Sequence, residues 1–192
     1  MIKIIYIIPG FWENTKNKRY FEIQKILNNQ GFKIISVKIS WKNRVMSDYV
    51  NDFLNQFNKH TSEDEIYLLW FSFWAMISFI ASTKINIKAQ FLCSLSPYFK
   101  EDIPLIKEWR KKNIWIKRIK DLSSISFDEL VKNIKCKTYI FYGAKEWIEI
   151  ERRAKDAGKK IKDNELLRIE WAKHDLWQDS YINAVKEVIL KI

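Results

Sequence analysis

Glycine, proline and cysteine are scarce in this sequence: its 192 residues include 4 Gly, 3 Pro and 2 Cys. Phosphate-binding loops need closely spaced glycines, and neither G-x-G-x-x-G nor G-x-x-x-x-G-K-S/T follows any predicted strand. A doubly wound nucleotide-binding module is therefore the candidate function with the least support in the sequence. The two cysteines, Cys93 and Cys136, form neither a disulfide framework nor a C-x-x-C metal pair. We expect two small buried thiols, no metal and no cofactor.

Long hydrophobic runs are also missing. The longest apolar stretch, residues 67–80, is interrupted by Ser72 and Ser78. It is shorter than the roughly 20 apolar residues that a membrane-spanning helix needs. Residues 4–8 are only strand-length, and no small-residue cleavage site of a signal peptide follows them. We therefore expect no membrane span and a cytoplasmic location.

Acidic residues are outnumbered by basic ones, 23 against 34, which gives a net charge of +11. Such an excess can serve nucleic-acid or membrane-surface binding. The lysines are spread along the whole chain, however, and no helix-turn-helix, zinc-finger or RNP-like motif accompanies them. Abundant Ile, Lys and Asn, whose codons are rich in A and T, account for the composition without a partner. We expect a small-molecule substrate and no nucleic-acid partner; the sequence leaves the oligomeric state open.

Apolar runs of strand length alternate with stretches of helical periodicity along the whole chain. The first run, residues 2–8, is β-branched and almost wholly apolar, as in a strand covered on both faces. Alternation of this kind predicts a three-layer αβα sandwich around a mostly parallel six-stranded sheet. We expect one domain over residues 1–192, with strands in the spatial order second, first, third, fourth, fifth, sixth. The predicted strands are 2–8, 32–39, 65–70, 89–93, 138–142 and 165–170, and the predicted helices are 17–30, 47–57, 73–82, 105–111, 127–134, 148–162 and 179–189.

Three residues with catalytic side chains follow predicted strands. Ser72 comes after the third strand, Glu146 after the fifth and His174 after the sixth. Taken singly, they could be a helix N-cap, a helix N-terminal carboxylate and a surface histidine. Ligand sites of parallel sheets lie at the carboxyl ends of the strands, so their joint occurrence there favours one site. Serine becomes a nucleophile only when a base takes its proton and a carboxylate orients that base.

The chain resembles a minimal α/β-hydrolase over essentially its full length. The matching segments follow four strands and are Pro9-Gly10-Phe11, Phe71-Ser72-Phe73, Gly143-Ala144-Lys145-Glu146 and Lys173-His174-Asp175. The resemblance implies a serine hydrolase, esterase-like, that cleaves a small ester, thioester or amide through an acyl-enzyme. Ser72 would be the nucleophile, His174 the base and Glu146 the acid, with Glu149 or Glu151 as alternative acids. The oxyanion hole would use the backbone N–H of Phe73 and one from the loop of Phe11 and Trp12.

The segment after the fourth strand is expected to contribute to the substrate pocket. Ser96 and Tyr98 are its candidate lining residues, and residues 94–135 could form a partial cap. Basic residues outnumber acidic ones in this segment, which would suit an anionic substrate, although a solvated basic face explains them equally. The basic residues include Lys100, Lys107, Arg110, Lys111, Lys112, Lys117, Arg118 and Lys120.

Two tryptophans depart from the hydrolase pattern. The nucleophile elbow reads G-x-S-x-G, and here Trp70 and Trp74 occupy the two glycine positions. Two indoles beside the strained serine are expected to force the following helix away from the strand. The alternative function is therefore a catalytically inactive protein that uses the α/β-hydrolase fold for binding.

Tryptophan is unusually frequent, with 9 Trp against 4 Gly, and several tryptophans lie at predicted turns that suit glycine. These are Trp12, Trp70, Trp74, Trp171 and Trp177. One hypothesis is that the codon UGA, which some bacteria read as glycine, was translated here as tryptophan. On that hypothesis, replacing Trp70 and Trp74 by Gly should increase both stability and serine reactivity.

Overall fold

The computed structural model describes residues 2–8, 18–57, 64–175 and 178–192. Within these ranges six strands alternate with helices. The strands are β1 (Lys3–Ile7), β2 (Phe32–Ser36), β3 (Glu65–Phe71), β4 (Ala89–Cys93), β5 (Lys137–Gly143) and β6 (Asn164–Ile169). The α-helices are α1 (Lys18–Asn29), α2 (Met46–Phe57), α3 (Ala75–Ala81), α4 (Glu108–Lys111), α5 (Ile116–Leu122), α6 (Phe127–Leu130), α7 (Ile148–Lys160) and α8 (Asp179–Ile189).

The six strands form one sheet in the order β2-β1-β3-β4-β5-β6, and every neighbouring pair is parallel. Both the strand order and the parallel pairing confirm the prediction. In the centre of the sheet, Ile5 of β1 pairs with Ile34 on one side and Tyr67 on the other. Because all strands run the same way, their carboxyl ends lie at one edge, and the segments after β3, β5 and β6 meet there.

Helices cover both faces of the sheet, which confirms the three-layer arrangement. On one face, α2, α3 and α7 bury residues such as Phe53, Ile77 and Ile150 against the strands. On the other face, α1 and α8 contribute residues such as Leu27 and Val185. Cys93 and Cys136 are both buried and unpaired, as predicted. Burial raises the pKa of the Cys136 thiol to about 11.

The element boundaries differ from the prediction mainly at turns. The second strand ends at Ser36 rather than residue 39, and the predicted helix 73–82 begins with a 3-10 turn, Ser72–Trp74. Helix α5 was not predicted at all. It starts after Trp115, whose side chain makes no capping hydrogen bond, so the usual N-terminal signal is missing from the sequence.

The two elbow tryptophans do not push α3 away from β3, contrary to the expectation. Trp70 is 1% exposed and its ring meets Phe53 of α2 edge-on at 4.9 Å between centroids. Trp74 is buried against Trp41 and Tyr49, at 3.9 and 5.7 Å. Both indoles occupy the layer between the sheet and α2, so the elbow backbone does not have to make room for them.

Candidate active site

The backbone of Ser72 is strained at the turn between β3 and α3. Its φ is +57°, in the left-handed region that residues with a side chain rarely adopt. Such strain persists only where the surrounding structure imposes it, and it concentrates at functional sites. Here β3 and the 3-10 turn Ser72–Trp74 hold the serine side chain at the carboxyl edge of the sheet.

The structure brings the three predicted catalytic residues into one hydrogen-bonded chain. Ser72 Oγ lies 2.7 Å from His174 Nε2, and His174 Nδ1 lies 2.8 Å from Glu146 Oε1. A carboxylate only accepts hydrogen bonds, so Nδ1 carries the imidazole proton. Nε2 is then left as the acceptor for the Ser72 hydroxyl, which is the arrangement that a general base requires.

Glu146 is held by donors on both of its oxygens, and its side chain is fully buried. Ser94 Oγ donates to Oε1 at 2.6 Å, and the Gly143 N–H donates to Oε2 at 2.9 Å. Gly143 also permits the close approach of the β6 loop, because a Cβ there would lie 2.4 Å from the Ala172 carbonyl oxygen. The acid is therefore fixed in position before any substrate binds.

Ser94 and Tyr181 form an outer layer that the sequence analysis did not identify. The Tyr181 hydroxyl lies 2.7 Å from Ser94 Oγ and 3.2 Å from the Phe141 carbonyl oxygen. Burial raises the pKa of Tyr181 well above its usual value, so this phenol stays neutral and can donate. Ser94 comes directly after β4 and has φ +53°. The position of Ser94 at a strand end was the one sequence feature that could have identified it. No sequence feature marked Tyr181 in α8.

Two aromatic rings flank the imidazole of His174. Phe71 lies at 5.0 Å and Trp147 at 4.8 Å between ring centroids, both tilted rather than perpendicular. These rings restrict the imidazole to the plane in which it reaches both Ser72 and Glu146. Trp147 is half exposed.

A cavity of about 390 Å³ opens beside Ser72 and His174. That volume is in the range of small-molecule sites. Three further predicted residues, Phe73, Ser96 and Tyr98, line it, and Ser96 Oγ lies 3.4 Å from Ser72 Oγ. The predicted oxyanion residues Phe11 and Trp12 lie outside the described residues.

The alternative acids occupy other places. Glu149 lines the cavity, and no contact between it and His174 is found among the described residues. Glu151 pairs with Lys155 at 2.7 Å. Of the three candidates, Glu146 is the one hydrogen-bonded to the imidazole. Over the described parts of the chain, no group of three or more His, Cys, Asp or Glu side chains could hold a metal ion.

Solved structures share this architecture. Est1E from Butyrivibrio proteoclasticus superposes with a TM-score of 0.81 at 16% identity, covering 99% of this chain and 86% of that one. Mouse alpha/beta hydrolase domain-containing protein 10 gives 0.77 at 14% identity, over 98% and 88% of the two chains. Dienelactone hydrolase from Anabaena variabilis gives 0.72 at 11% identity, over 99% and 84%. The chain thus has the α/β-hydrolase fold.

Comparison of the sequence with known protein families and with curated protein sequences finds no match. No helix in residues 2–8, 18–57, 64–175 and 178–192 is long and apolar enough to cross a membrane.

Proposed function

We propose that this protein is a serine hydrolase that cleaves a small ester, thioester or amide through an acyl-enzyme. The observation that carries the proposal is the pair of hydrogen bonds from Ser72 to His174 and from His174 to Glu146, at 2.7 and 2.8 Å. The positive φ of Ser72 and the adjoining cavity support it. So does the fold, which dienelactone hydrolase shares.

In the proposed reaction, Ser72 Oγ attacks the carbonyl carbon of the substrate while its proton passes to His174 Nε2. The buried carboxylate of Glu146 stabilises the imidazolium that forms. The imidazolium then gives its proton to the leaving group, and the acyl chain remains on Ser72. Water, deprotonated by His174, releases the acid and restores the serine. The Phe73 N–H and one N–H from the loop of Phe11 and Trp12 are the proposed oxyanion donors.

We also propose that residues 94–135 act as a partial cap on this site. Asn113, Ile114 and Leu122 of this segment line the cavity together with Ser72 and His174. The segment therefore contributes part of the cavity wall beside Ser72. A cap of this kind excludes water and selects substrates by shape.

The second candidate is an inactive protein that binds a ligand through the same fold. Trp74 favours it, because this indole stands at an elbow position where active enzymes have glycine and also lines the cavity. A binding protein would keep the cavity and the fold but would not transfer an acyl group to Ser72.

A fluorophosphonate probe separates the two functions. The hydrolase proposal predicts that the probe adds once per chain, as read by intact mass, and that Ser72→Ala abolishes the addition. Ser124→Ala, which removes an exposed hydroxyl of the proposed cap segment, is the matched control and should label normally. Labelling that survives Ser72→Ala would exclude Ser72 as the nucleophile. A folded protein that takes up no probe would favour the binding function.

A further inference from the structure

The cavity beside Ser72 is mostly apolar and aromatic, but it contains one cation, Arg118 of α5. Arg118 is the one basic residue of the 94–135 segment, among those with described side chains, that lines this cavity. Lys111 instead pairs with Glu108, and the side chain of Arg110 lies outside the described part of the structure. The remaining basic residues of the segment are exposed: Lys100, Lys107, Lys112, Lys117, Lys120, Lys132 and Lys135.

Neutral acceptors hold the guanidinium of Arg118 in place. Its Nε–H donates to the Arg44 carbonyl oxygen at 3.0 Å. Its Nη2 donates to the Trp41 carbonyl oxygen at 3.3 Å and to the Tyr49 hydroxyl at 2.7 Å. These bonds fix the direction of the guanidinium without neutralising its charge, since none of the three acceptors is an anion.

Among the described residues, no carboxylate forms an ion pair or hydrogen bond with Arg118. Asp121, one helical turn further along α5, instead accepts from the N–H and Oγ of Ser47. The acid side chains near Arg44 pair with Arg44 itself. The Nη1 donors of Arg118 likewise find no acceptor in the described part of the chain. The Arg118 guanidinium is thus half-buried, positively charged and has free Nη1 donors, and these are the features of a group that can receive an anion.

We propose that Arg118 binds a carboxylate of the substrate, so that the preferred substrates are monoanionic, such as half-esters of small dicarboxylic acids. This inference rests on the proposed hydrolase function, since Arg118 and Ser72 line the same cavity. A guanidinium with free N–H donors matches a carboxylate in geometry and charge. Glu149, which also lines the cavity, disfavours a second negative charge, and therefore a single carboxylate fits better than a phosphate dianion.

Binding to a hydrolytically silent variant tests the inference without depending on turnover. Ser72→Ala is titrated with the monomethyl esters of succinic, glutaric and adipic acid, each beside its neutral monoamide methyl ester. Trp74 and Trp147 lie in the cavity wall, so tryptophan fluorescence reports occupancy. At least one anionic ester should bind tenfold or more tightly than its neutral counterpart. Adding Arg118→Gln should remove that preference.

Lys117→Gln is the matched control, because it removes the same charge from the same helix at an exposed position. It should change the anion preference by less than twofold, whereas a general effect of the net charge would change both variants alike. Equal affinity for anionic and neutral esters in all three pairs would overturn the inference. So would a preference that persists in Arg118→Gln.

A measurement on Ser72→Ala, which keeps Arg118 and does not hydrolyse the ester, guards against misfolding of the Arg118 variant. Phenylglyoxal modification is followed by peptide mass, with exposed Arg168 as the internal reference. The preferred anionic ester should slow modification of Arg118 several-fold and leave Arg168 unchanged; equal rates at Arg118 with and without ester would refute its role. If anions bind to Ser72→Ala as predicted and the unaltered protein hydrolyses no ester, the hydrolase proposal fails while the Arg118 site stands.

Discussion

Replacing Glu146 by Gln changes the hydrogen bonding of the proposed catalytic chain of Ser72, His174 and Glu146 without removing any heavy-atom position. The carboxylate accepts three hydrogen bonds: from His174 Nδ1 and Ser94 Oγ on one oxygen, and from the Gly143 N–H on the other. A glutamine amide has one accepting oxygen and one donating nitrogen. Whichever way it is placed, an NH₂ group faces a site that held a donor.

The geometry predicts which orientation of the glutamine amide is preferred. With the amide nitrogen toward Gly143, its NH₂ faces the backbone N–H of Gly143 and neither group can accept, which costs about 1–3 kcal/mol. With the nitrogen toward His174 and Ser94, both partners can adapt, since the hydroxyl rotates and the imidazole shifts its proton to Nε2. That tautomer cannot accept the proton of Ser72. The carboxylate that would stabilise the imidazolium is also lost.

We therefore expect kcat/KM for a short 4-nitrophenyl ester to fall about 10³- to 10⁴-fold in Glu146→Gln, or about 4–5.5 kcal/mol of transition-state stabilisation. Glu151→Gln, whose side chain pairs with Lys155 on the same stretch of chain, should stay within twofold. Near-ultraviolet circular dichroism checks that both variants are folded. Retention of more than a tenth of the activity in Glu146→Gln would refute the assignment of this residue as the acid.

Three further perturbations test the surroundings of the site and the core. Ser94→Ala removes one hydrogen-bond donor from Glu146, so kcat should fall about tenfold while KM stays unchanged. If kcat and KM changed by the same factor, Ser94 would have no positioning role. Asp102→Ala leaves the buried guanidinium of Arg153 with Asp156 alone and should lower the free energy of unfolding in urea by about 3 kcal/mol. Removal of the exposed Asp163 partner of Lys137 should change it by less than about 1 kcal/mol. Because burial raises the pKa of Cys136 to about 11, iodoacetamide at pH 8 should leave this thiol unmodified in the folded protein and alkylate it in urea.

The sheet was predictable from the sequence, and so was the edge at which Ser72, Glu146 and His174 meet, because both depend on local patterns. A run such as residues 2–8 signals a buried strand, and parallel strands bring the residues at their carboxyl ends to one edge. The supporting residues were not predictable in the same way. Ser94 reaches Glu146 across 52 positions, and Tyr181 reaches Ser94 across 87. The first contact depends on the pairing of β4 with β5, and the second on the packing of α8 against the strand ends, and no periodicity encodes either one.

The same limit applies to Arg118. The sequence shows ten basic residues in segment 94–135 and provides no basis for choosing among them. The packing of α5 on α2 determines which basic residue faces the cavity. The two helices are joined by hydrogen bonds between Asp121 and Ser47 and between Arg118 and Tyr49. Helix α5 itself lacks a capping signal, so its existence and its inward-facing arginine depend on that contact.

The tryptophans suspected of standing for glycine fall into different classes in the structure. Trp70 and Trp74 are buried, and the φ of Trp74 is −76°, which any residue adopts. Trp171 is 74% exposed with φ +63°, where glycine is favoured. Trp12 and Trp177 lie outside the described residues. The structure thus supports glycine at residue 171 by backbone conformation, and supplies no backbone reason for it at residue 74.

These classes reverse one expectation from the sequence. Trp70→Gly empties a buried site packed against Phe53 and should lower the free energy of unfolding by about 3–5 kcal/mol instead of raising it. Trp171→Gly relieves a left-handed residue and should raise it by up to about 1 kcal/mol. Trp147→Gly is the matched control, since this half-exposed tryptophan has φ −64° and should gain nothing. Urea unfolding of the three variants measures the signs. A stability gain in Trp70→Gly would contradict the packing argument and revive the recoding hypothesis at the elbow, whereas the codon UGG at positions 70 and 74 of the gene would exclude it there.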